Sequence, residues 1–419
     1  MNLFKYLKQT FHFPGFQSFL YSGFLTSIAN WNYVVAMTAL IYQQFGTTGV
    51  AIFGLTRQIP YILFSPISGY IIDRFPRKKI IIFINLLNVL SMTMLIIFSF
   101  LKINSLYVFL LVSLIQVFVG TIDYPIRLTI GKKLIDKDSL LAMNTLTTSL
   151  GTISLMIAPI IGGVLVGLND LFWAFLINVL VYLICLVLVC FIPKSINQNF
   201  DGLLQTEQKV KISDSLNNIV EGFKFILFNK KIFSVSIILC FIHIVVGSVF
   251  VFVPYLADIT GQEGSGTGYY LAINGLGCVI GTLLGGHFGK KNLTFIIWIS
   301  VLGSFIACII CGGINHVFVA YLAVLFIGIF TMLPEAPIMT IIQEETPDNA
   351  SGRVFAAIDV LIIGGMGIGS FLVGWLFANT TFMFTLFVIG ILPVIVSLLM
   401  NKFLYVKNDQ VNNSSITEA

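Results

Sequence analysis

Charge is what this sequence has least of. Only 10% of its 419 residues are Asp, Glu, Lys or Arg, while 57% are hydrophobic. A soluble domain carries roughly 25% charged residues, so the polar groups here are too few to cover so apolar a core in water. No stretch fits G-x-x-x-x-G-K-[ST], because Gly289-Lys290 is followed by Lys291 and lacks the first glycine. ATP hydrolysis by this chain is therefore not expected. The six cysteines, Cys185, Cys190, Cys240, Cys278, Cys308 and Cys311, fall inside apolar runs without the neighbours of a zinc site. Cys308 and Cys311 have C-x-x-C spacing but lie in a continuous apolar stretch, where small residues pack between helices. The first residues lead into an apolar run longer than a signal sequence and lack a clear small-residue cleavage site, so no cleavable signal is expected. Neither a metal, a cofactor nor nucleic acid is indicated as a partner.

What the chain does have is long apolar runs. Spanning a hydrocarbon core of about 30 Å takes about 20 apolar residues. Uncharged runs of that length fall near 16–42, 48–72, 80–101, 105–130, 139–166 and 170–192, then 232–256, 265–289, 292–312, 317–342, 352–378 and 381–404. Twelve transmembrane helices joined by short connections make an all-α membrane protein. Of the 23 Lys and Arg, all but Lys102, Arg57 and Arg127 lie on the side of the N-terminus. By the preference of cations for the cytoplasmic side, both termini are expected inside a plasma membrane.

A polar stretch divides the chain into a six-helix bundle at 1–192, a middle loop at 193–231, a second bundle at 232–404 and a tail at 405–419. Within the loop, Ile212, Leu216, Ile219, Val220, Phe223 and Leu227 recur at helical spacing, which predicts an amphipathic helix on the inner membrane face. The two bundles share one register. An offset of 212 residues carries Gly69 onto Gly281, Lys78 and Lys79 onto Lys290 and Lys291, and Asp123 and Pro125 onto Glu335 and Pro337. The same offset carries Asp136 onto Asp348, Ser139 onto Ser351 and Gly162 onto Gly374. Six helices per repeat keep the two halves parallel.

Several motifs resemble one family. Gly69-Tyr-Ile-Ile-Asp73-Arg74-Phe-Pro76-Arg77-Lys78-Lys79, between the second and third spans, resembles the loop signature of the major facilitator superfamily, with Pro76 where that signature usually has Gly. Ala158-Pro159-Ile-Ile-Gly162-Gly163 is similar to its exporter-associated Gly-Pro-x-x-Gly-Gly element, with Ala158 in place of the first Gly; Pro159 would kink the helix while the glycines allow close packing. The stretch Leu216 to Phe225 and the stretch Thr346 to Phe355 resemble the branch of macrolide-efflux and enterobactin-exporter proteins. The resemblance covers nearly the whole chain. It implies two parallel six-helix repeats with a site between them near the midplane, and a cytoplasmic gate of Gly69, Asp73, Arg74, Arg77 and Lys78, with Asp359 as partner for Arg74 or Arg77.

Ionisable groups at membrane depth are costly and face a cavity or a partner. Asp123 stands four residues before Arg127, the spacing of an intrahelical ion pair; the alternative is a role in proton coupling. Glu335 holds the equivalent place in the second repeat but has Met339 four residues on. With no local cation, it is expected to be the main proton carrier. Two roles are open to Arg57, a cross-bundle partner of Asp123 or an attractor of an anionic substrate. His243 is either a proton-exchanging group or a hydrogen-bonded interior histidine. Asn30, Trp31, Asn32 and Tyr33 form the expected polar-aromatic lining of a substrate cavity.

The resulting expectation is a monomeric secondary exporter, not an enzyme, that moves an amphiphilic small molecule such as a macrolide-like drug out of the cell by proton antiport with alternating access. A different cargo (a siderophore, lipid or peptide) or an uptake symporter is the alternative, and a non-transporting scaffold is the least favoured reading. Its surroundings are lipid, its partners the cargo and protons.

Overall fold

The computed structural model describes residues 11–136, 140–167, 171–193, 212–262, 265–288, 293–313, 316–347 and 350–404. The Lys290-Lys291 pair, Asp348, the 194–211 part of the middle loop and the tail after 404 lie outside them. Thirteen helices account for almost all described residues. They are α1 (Phe16–Arg74), α2 (Arg77–Phe100), α3 (Leu106–Leu134), α4 (Leu140–Gly167), α5 (Leu171–Cys190), α6 (Ile212–Phe228), α7 (Lys230–Ile259), α8 (Gly266–Phe288), α9 (Leu293–Gly313), α10 (Val317–Met332), α11 (Glu335–Glu345), α12 (Ser351–Asn379) and α13 (Phe382–Leu404).

The first two expected spans are both in α1. A straight helix of 59 residues would run about 88 Å at 1.5 Å per residue, near three membrane cores. It reverses instead at Gly46, whose φ of 64° and ψ of −165° are non-helical and open to glycine at little cost. Phe16, Phe19 and Leu20 of the first arm consequently share a core with Ile72 of the second. The tenth span departs from expectation in another way. The structure breaks it at Leu333-Pro334 into α10 and α11, because Pro334 has no N–H to give and its ring crowds the preceding turn. Its counterpart in the first repeat is Ile122, and α3 passes Pro125 without a break.

Large apolar side chains point outward along most helices, among them Leu63, Phe100, Leu183, Phe318 and Leu399, each more than two-fifths exposed. Among the described residues, eleven helices are long and apolar enough to cross a membrane, α1 counting once and α10 with α11 once. A surface of that kind requires lipid as its solvent.

The cores show how the halves meet. One cluster joins both repeats, with Val35, Ile41 and Phe53 of α1 packed together with Val249 and Phe252 of α7, Tyr270 of α8 and Val373 of α12. It occupies the ends near Gly46. At the opposite ends, where the basic loops lie, the repeats keep separate cores, one around Ile81, Ile126 and Ile130 and one around Ile238, Ile342 and Val354. The bundles are thus joined at one face and parted at the basic face.

The expected linker helix is α6, and its apolar residues divide between the protein and the outside. Ile226 is 2% exposed, while Val220 and Leu227 are more than half exposed. Gly222 lies against the backbone of Arg353, which turns Phe223 and Ile226 into the second-repeat core and leaves Val220 and Leu227 for the membrane side. The Glu221–Arg353 ion pair beside it, at 2.5 Å, is half exposed on both sides and contributes at most about 1 kcal/mol. Lys231, at 2.6 Å from Glu345, fastens α7 to the end of α11.

The joined face depends on backbone contact. A Cβ placed on Gly163 of α4 would stand 2.7 Å from the Gly268 Cα of α8. Overpacking costs about 1–3 kcal/mol, so Gly163→Val should shift the protein toward separation at this face. Maleimide labelling of Thr38→Cys, a seam position 1% exposed in the native chain, should then speed up by roughly tenfold, while unchanged labelling would show that the seam tolerates the side chain.

Candidate functional site

A cavity of about 750 Å³, lined throughout by residues of the first repeat, is within the range of roughly 300–1,000 Å³ usual for small-molecule sites. The first arm of α1, α3 and α4 supply most of its walls, with Asn30, Trp31, Gln116, Asp123, Tyr124 and Arg127 as its polar and aromatic features. Phe19, Leu20 and Met143 carry it toward the basic face.

Asp123 and Arg127 sit on its wall as an intrahelical pair. Arg127 Nε donates to both carboxylate oxygens, Oδ1 at 2.9 Å and Oδ2 at 2.8 Å. Its terminal nitrogens reach across to α1, where Nη1 meets Ser22 Oγ and Nη2 meets Thr26 Oγ1, each at 3.2 Å. Both side chains keep some exposure, 13% for Arg127 and 20% for Asp123, all of it consistent with their place on the cavity wall. The pair cancels its own charge and ties α3 to α1.

Of the four expected lining residues of α1, only Asn30 and Trp31 face this cavity. Asn32 and Tyr33 are each 1% exposed. Asn32 Nδ2 donates to the Ala174 carbonyl at 3.2 Å and to Asn178 Oδ1 at 2.8 Å, holding α1 against α5. The reason is rotation, since successive residues on a helix turn by about 100° and four in a row cannot share a face. Asn178 and the cavity residues Asn88, Gln116 and Tyr182 escaped the sequence reading; each is an isolated polar residue in an apolar run, a signal that names depth but not direction.

Trp31 closes the top of the cavity. Its ring stacks on Phe250 of α7, centroids 6.2 Å apart and planes within 14°, so one residue from each repeat forms the lid. Behind Phe250 is a small polar space that also meets Thr38, Arg57, Gln58 and Ser370. Arg57 therefore does not pair with Asp123, which is already held by Arg127. Its guanidinium carbon lies 6.0 Å from the Phe53 ring centroid, a contact worth about 0.5–2 kcal/mol, and it makes no ion pair among the described residues.

Glu335 opens α11 in the turn after the break, where its carboxylate meets the positive end of that helix's dipole. It does not line the large cavity. The structure also supplies what its own helix lacks, because His243 of α7 lies within electrostatic reach of Glu335. His243 is 4% exposed and its Nδ1 lies 2.9 Å from the Leu239 carbonyl, the hydrogen-bonded interior histidine of the two readings.

At the basic face, Lys78 Nζ donates to the carbonyls of Cys190 at 2.8 Å and Ile192 at 2.6 Å, at the end of α5. It caps a helix within its own repeat. Nε and Nη1 of Arg77 are buried without a partner among the described residues. The surroundings of Gly69 and the side chain of Asp73 lie outside what is described. Asp359 forms no ion pair with Arg74 or Arg77 among the described residues, and its charge acts on Tyr61 of α1 instead. Parted ends explain this, since a latch across the basic face has nothing to close on. Pro159 is accommodated within α4, its carbonyl beside Gly268, while Gly162 packs on Asn32 and Val35.

Two parallel six-helix sets, with a cavity in the first that runs toward the basic face, have the architecture of a membrane transporter. The chain belongs to the Major Facilitator Superfamily, whose sequence profile matches residues 19–362. An uncharacterised transporter of this type from Bacillus subtilis, YfiS, is 22% identical over 92% of both chains. The enterobactin exporter EntS of Shigella flexneri is 25% identical over 80% of both. Among solved structures, the nucleoside transporter NupG superposes with a TM-score of 0.73 at 12% identity, covering 97% of this chain and 100% of that one. An inward-facing bacterial homologue of the lysosomal transporter Spinster gives 0.70 at 15% identity, covering 92% and 95%. These confirm the fold expected from the sequence and mark the chain as a transporter rather than an enzyme.

Breaking a partly enclosed ion pair is costlier than removing both members. Asp123→Asn should lower stability by about 1–3 kcal/mol, and adding Arg127→Gln should recover part of the loss. Thermal unfolding of the purified single and double variants checks this, and additive losses would count against a coupled pair.

Proposed function

We propose that this chain is a proton-driven exporter that carries an amphiphilic small molecule, macrolide-like in size and character, from the cytoplasm by alternating access. The supporting observation is the one-sided cavity of about 750 Å³, reaching the face that carries the basic loops. With that face in the cytoplasm, both termini are inside, and the bundles 1–192 and 232–404 are the rocking units joined by 193–231. The chain works as a monomer, with the cavity inside a single protomer. Similarity to enterobactin exporters supports export over uptake and favours a siderophore as the second reading of the cargo.

Proton coupling is assigned to Glu335 with His243, and secondarily to Asp123. Glu335 stands at a helix break, faces a histidine and is free of the permanent ion pair that occupies Asp123. Closure of the basic face would bring Asp73, Arg74, Arg77 and Asp359 together as the gate, with Gly69 and Gly163 as packing points.

Cells expressing the chain should retain less of a labelled macrolide, and a proton uncoupler should restore retention. In Glu335→Gln, efflux should fall by an order of magnitude and lose its response to the uncoupler. Efflux that stays gradient-driven in that variant would remove Glu335 as the carrier; unchanged retention in the native strain would remove macrolides as cargo.

A further inference from the structure

Asp123 and Arg127 pair with each other and Glu335 lies near His243, whereas Arg57 has no ion-pair partner among the described residues. Arg57 sits in the second arm of α1, partly buried between the repeats. Its neighbours in the small space behind the Trp31–Phe250 lid are Thr38, Gln58 and Ser370, with Val50, Phe53 and Phe250 as apolar walls. Thr38 and Gln58 have hydrogens to donate, Ser370 Oγ gives its own to the carbonyls of Gly247 and Met366, and no residue lining the space is acidic. A partly buried guanidinium beside a hydroxyl and an amide donor, with no carboxylate at hand, is the chemistry of an anion site. A cation at membrane depth is retained where it has a partner or a function, and here the described protein supplies no counter-charge.

The position of the space decides what the anion is. Gly54 and Gly367 form its outer boundary. A Cβ on Gly54 would come within 2.7 Å of the Ser370 side chain, and one on Gly367 within 3.2 Å of the Gln58 side chain, so α1 and α12 are closely packed there. The inner boundary is only the stacked Trp31–Phe250 pair, whose Trp31 is also a wall of the large cavity. At about 10 Å³ the space holds roughly one water and no cargo group. Both boundaries are contacts between the two repeats, and both part when the repeats separate at this face.

We propose that Arg57 is the anion-recognition residue of the transport pathway, taking an acidic group of an amphiphilic organic anion once the Trp31–Phe250 stack opens. The Arg57 fork would hold a carboxylate, sulfonate or phosphate by two parallel hydrogen bonds, assisted by Gln58 and Thr38, while the cargo's apolar body stays in the large cavity. The assignment names the cargo class and so rests on reading that cavity as the cargo site. It does not depend on the direction of transport or on protons.

The test uses the purified full-length protein in a neutral detergent and two probes of nearly equal shape, naphthalene-1-sulfonate and the neutral naphthalene-1-sulfonamide. Apparent affinities are read from the shift in thermal unfolding at constant ionic strength. The native protein should bind the sulfonate at least tenfold more tightly than the sulfonamide. Arg57→Gln should abolish that preference without changing sulfonamide binding, and Arg57→Lys should keep part of it. Equal affinities in the native protein, or no binding of either probe, overturns the proposal. So does a preference that survives Arg57→Gln or disappears instead in Arg127→Gln. A protein that prefers the sulfonate yet drives no efflux in cells would sink the exporter reading and leave this one standing.

Discussion

The contact on which the rest of this structure depends is the seam at the face opposite the basic loops, where backbone meets backbone. Helix pairs in a membrane gain little from hiding apolar surface, because lipid is as apolar as their side chains; they associate through close packing and small residues. Gly163 against Gly268, Gly167 against Ser265, and Gly374 against Ala51 let α4 approach α8 and α1 approach α12. That closeness gives the two repeats one shared core at this end. It also forces them apart at the other end, since two rigid bundles pressed together at one face diverge at the opposite one. The unformed latch at Asp359 and the place of Arg57 between residues of both repeats follow from this geometry.

Within it, the repeat-equivalent acids have been put to different uses by small sequence changes. Asp123 has Arg127 one turn on, and α3 continues through Pro125. Glu335 has Met339 at that place, and Pro334 interrupts the helix just before it. The first acid is consumed by a structural pair that ties α3 to α1 through Ser22 and Thr26. The second stands at a helix start, close to a histidine from another helix. A common register therefore yields one neutralised wall and one site with two titratable groups together.

Much of the architecture was legible in the sequence because it depends on length and amount. Apolar runs of sufficient length mark spans, cations mark one face, and a single offset marks the repeat. Direction was less legible. Asn30 through Tyr33 gave the depth of the cavity in α1, but only their helical rotation separates Trp31, on the cavity, from Asn32, against α5. In α6 the apolar spacing marked an amphipathic helix but not the contact of Gly222 with Arg353, which turns Phe223 and Ile226 into the second-repeat core and leaves Val220 and Leu227 outward. Pairings across the seam, such as Trp31 with Phe250, join residues more than two hundred positions apart, and no local pattern encodes them. The split at Pro334 was visible as a proline but indistinguishable from the tolerated Pro125 until the missing hydrogen bond was seen in place.

A transporter must respond to its cargo and its driving ion, and a ligand shifts a conformational equilibrium only by its differential affinity for the two states. Groups whose surroundings stay constant contribute nothing to that difference. The Asp123–Arg127 pair lies within one helix and one repeat, so separation of the repeats leaves its hydrogen bonds intact. Its value is to keep the cavity wall polar without a net charge. Arg57 is the opposite case, because the residues that enclose it come from both repeats. Under the proposed alternating access, Phe250 and Ser370 would leave it as the seam opens, and its guanidinium would pass from a partly buried place to a hydrated one. Shifting such an equilibrium from 1:99 to 99:1 takes about 5.5 kcal/mol of differential binding. A charge that gains or loses its solvent between states is one of the few groups able to supply a large share of that, which is why the seam and the unpaired arginine behind it belong to one mechanism.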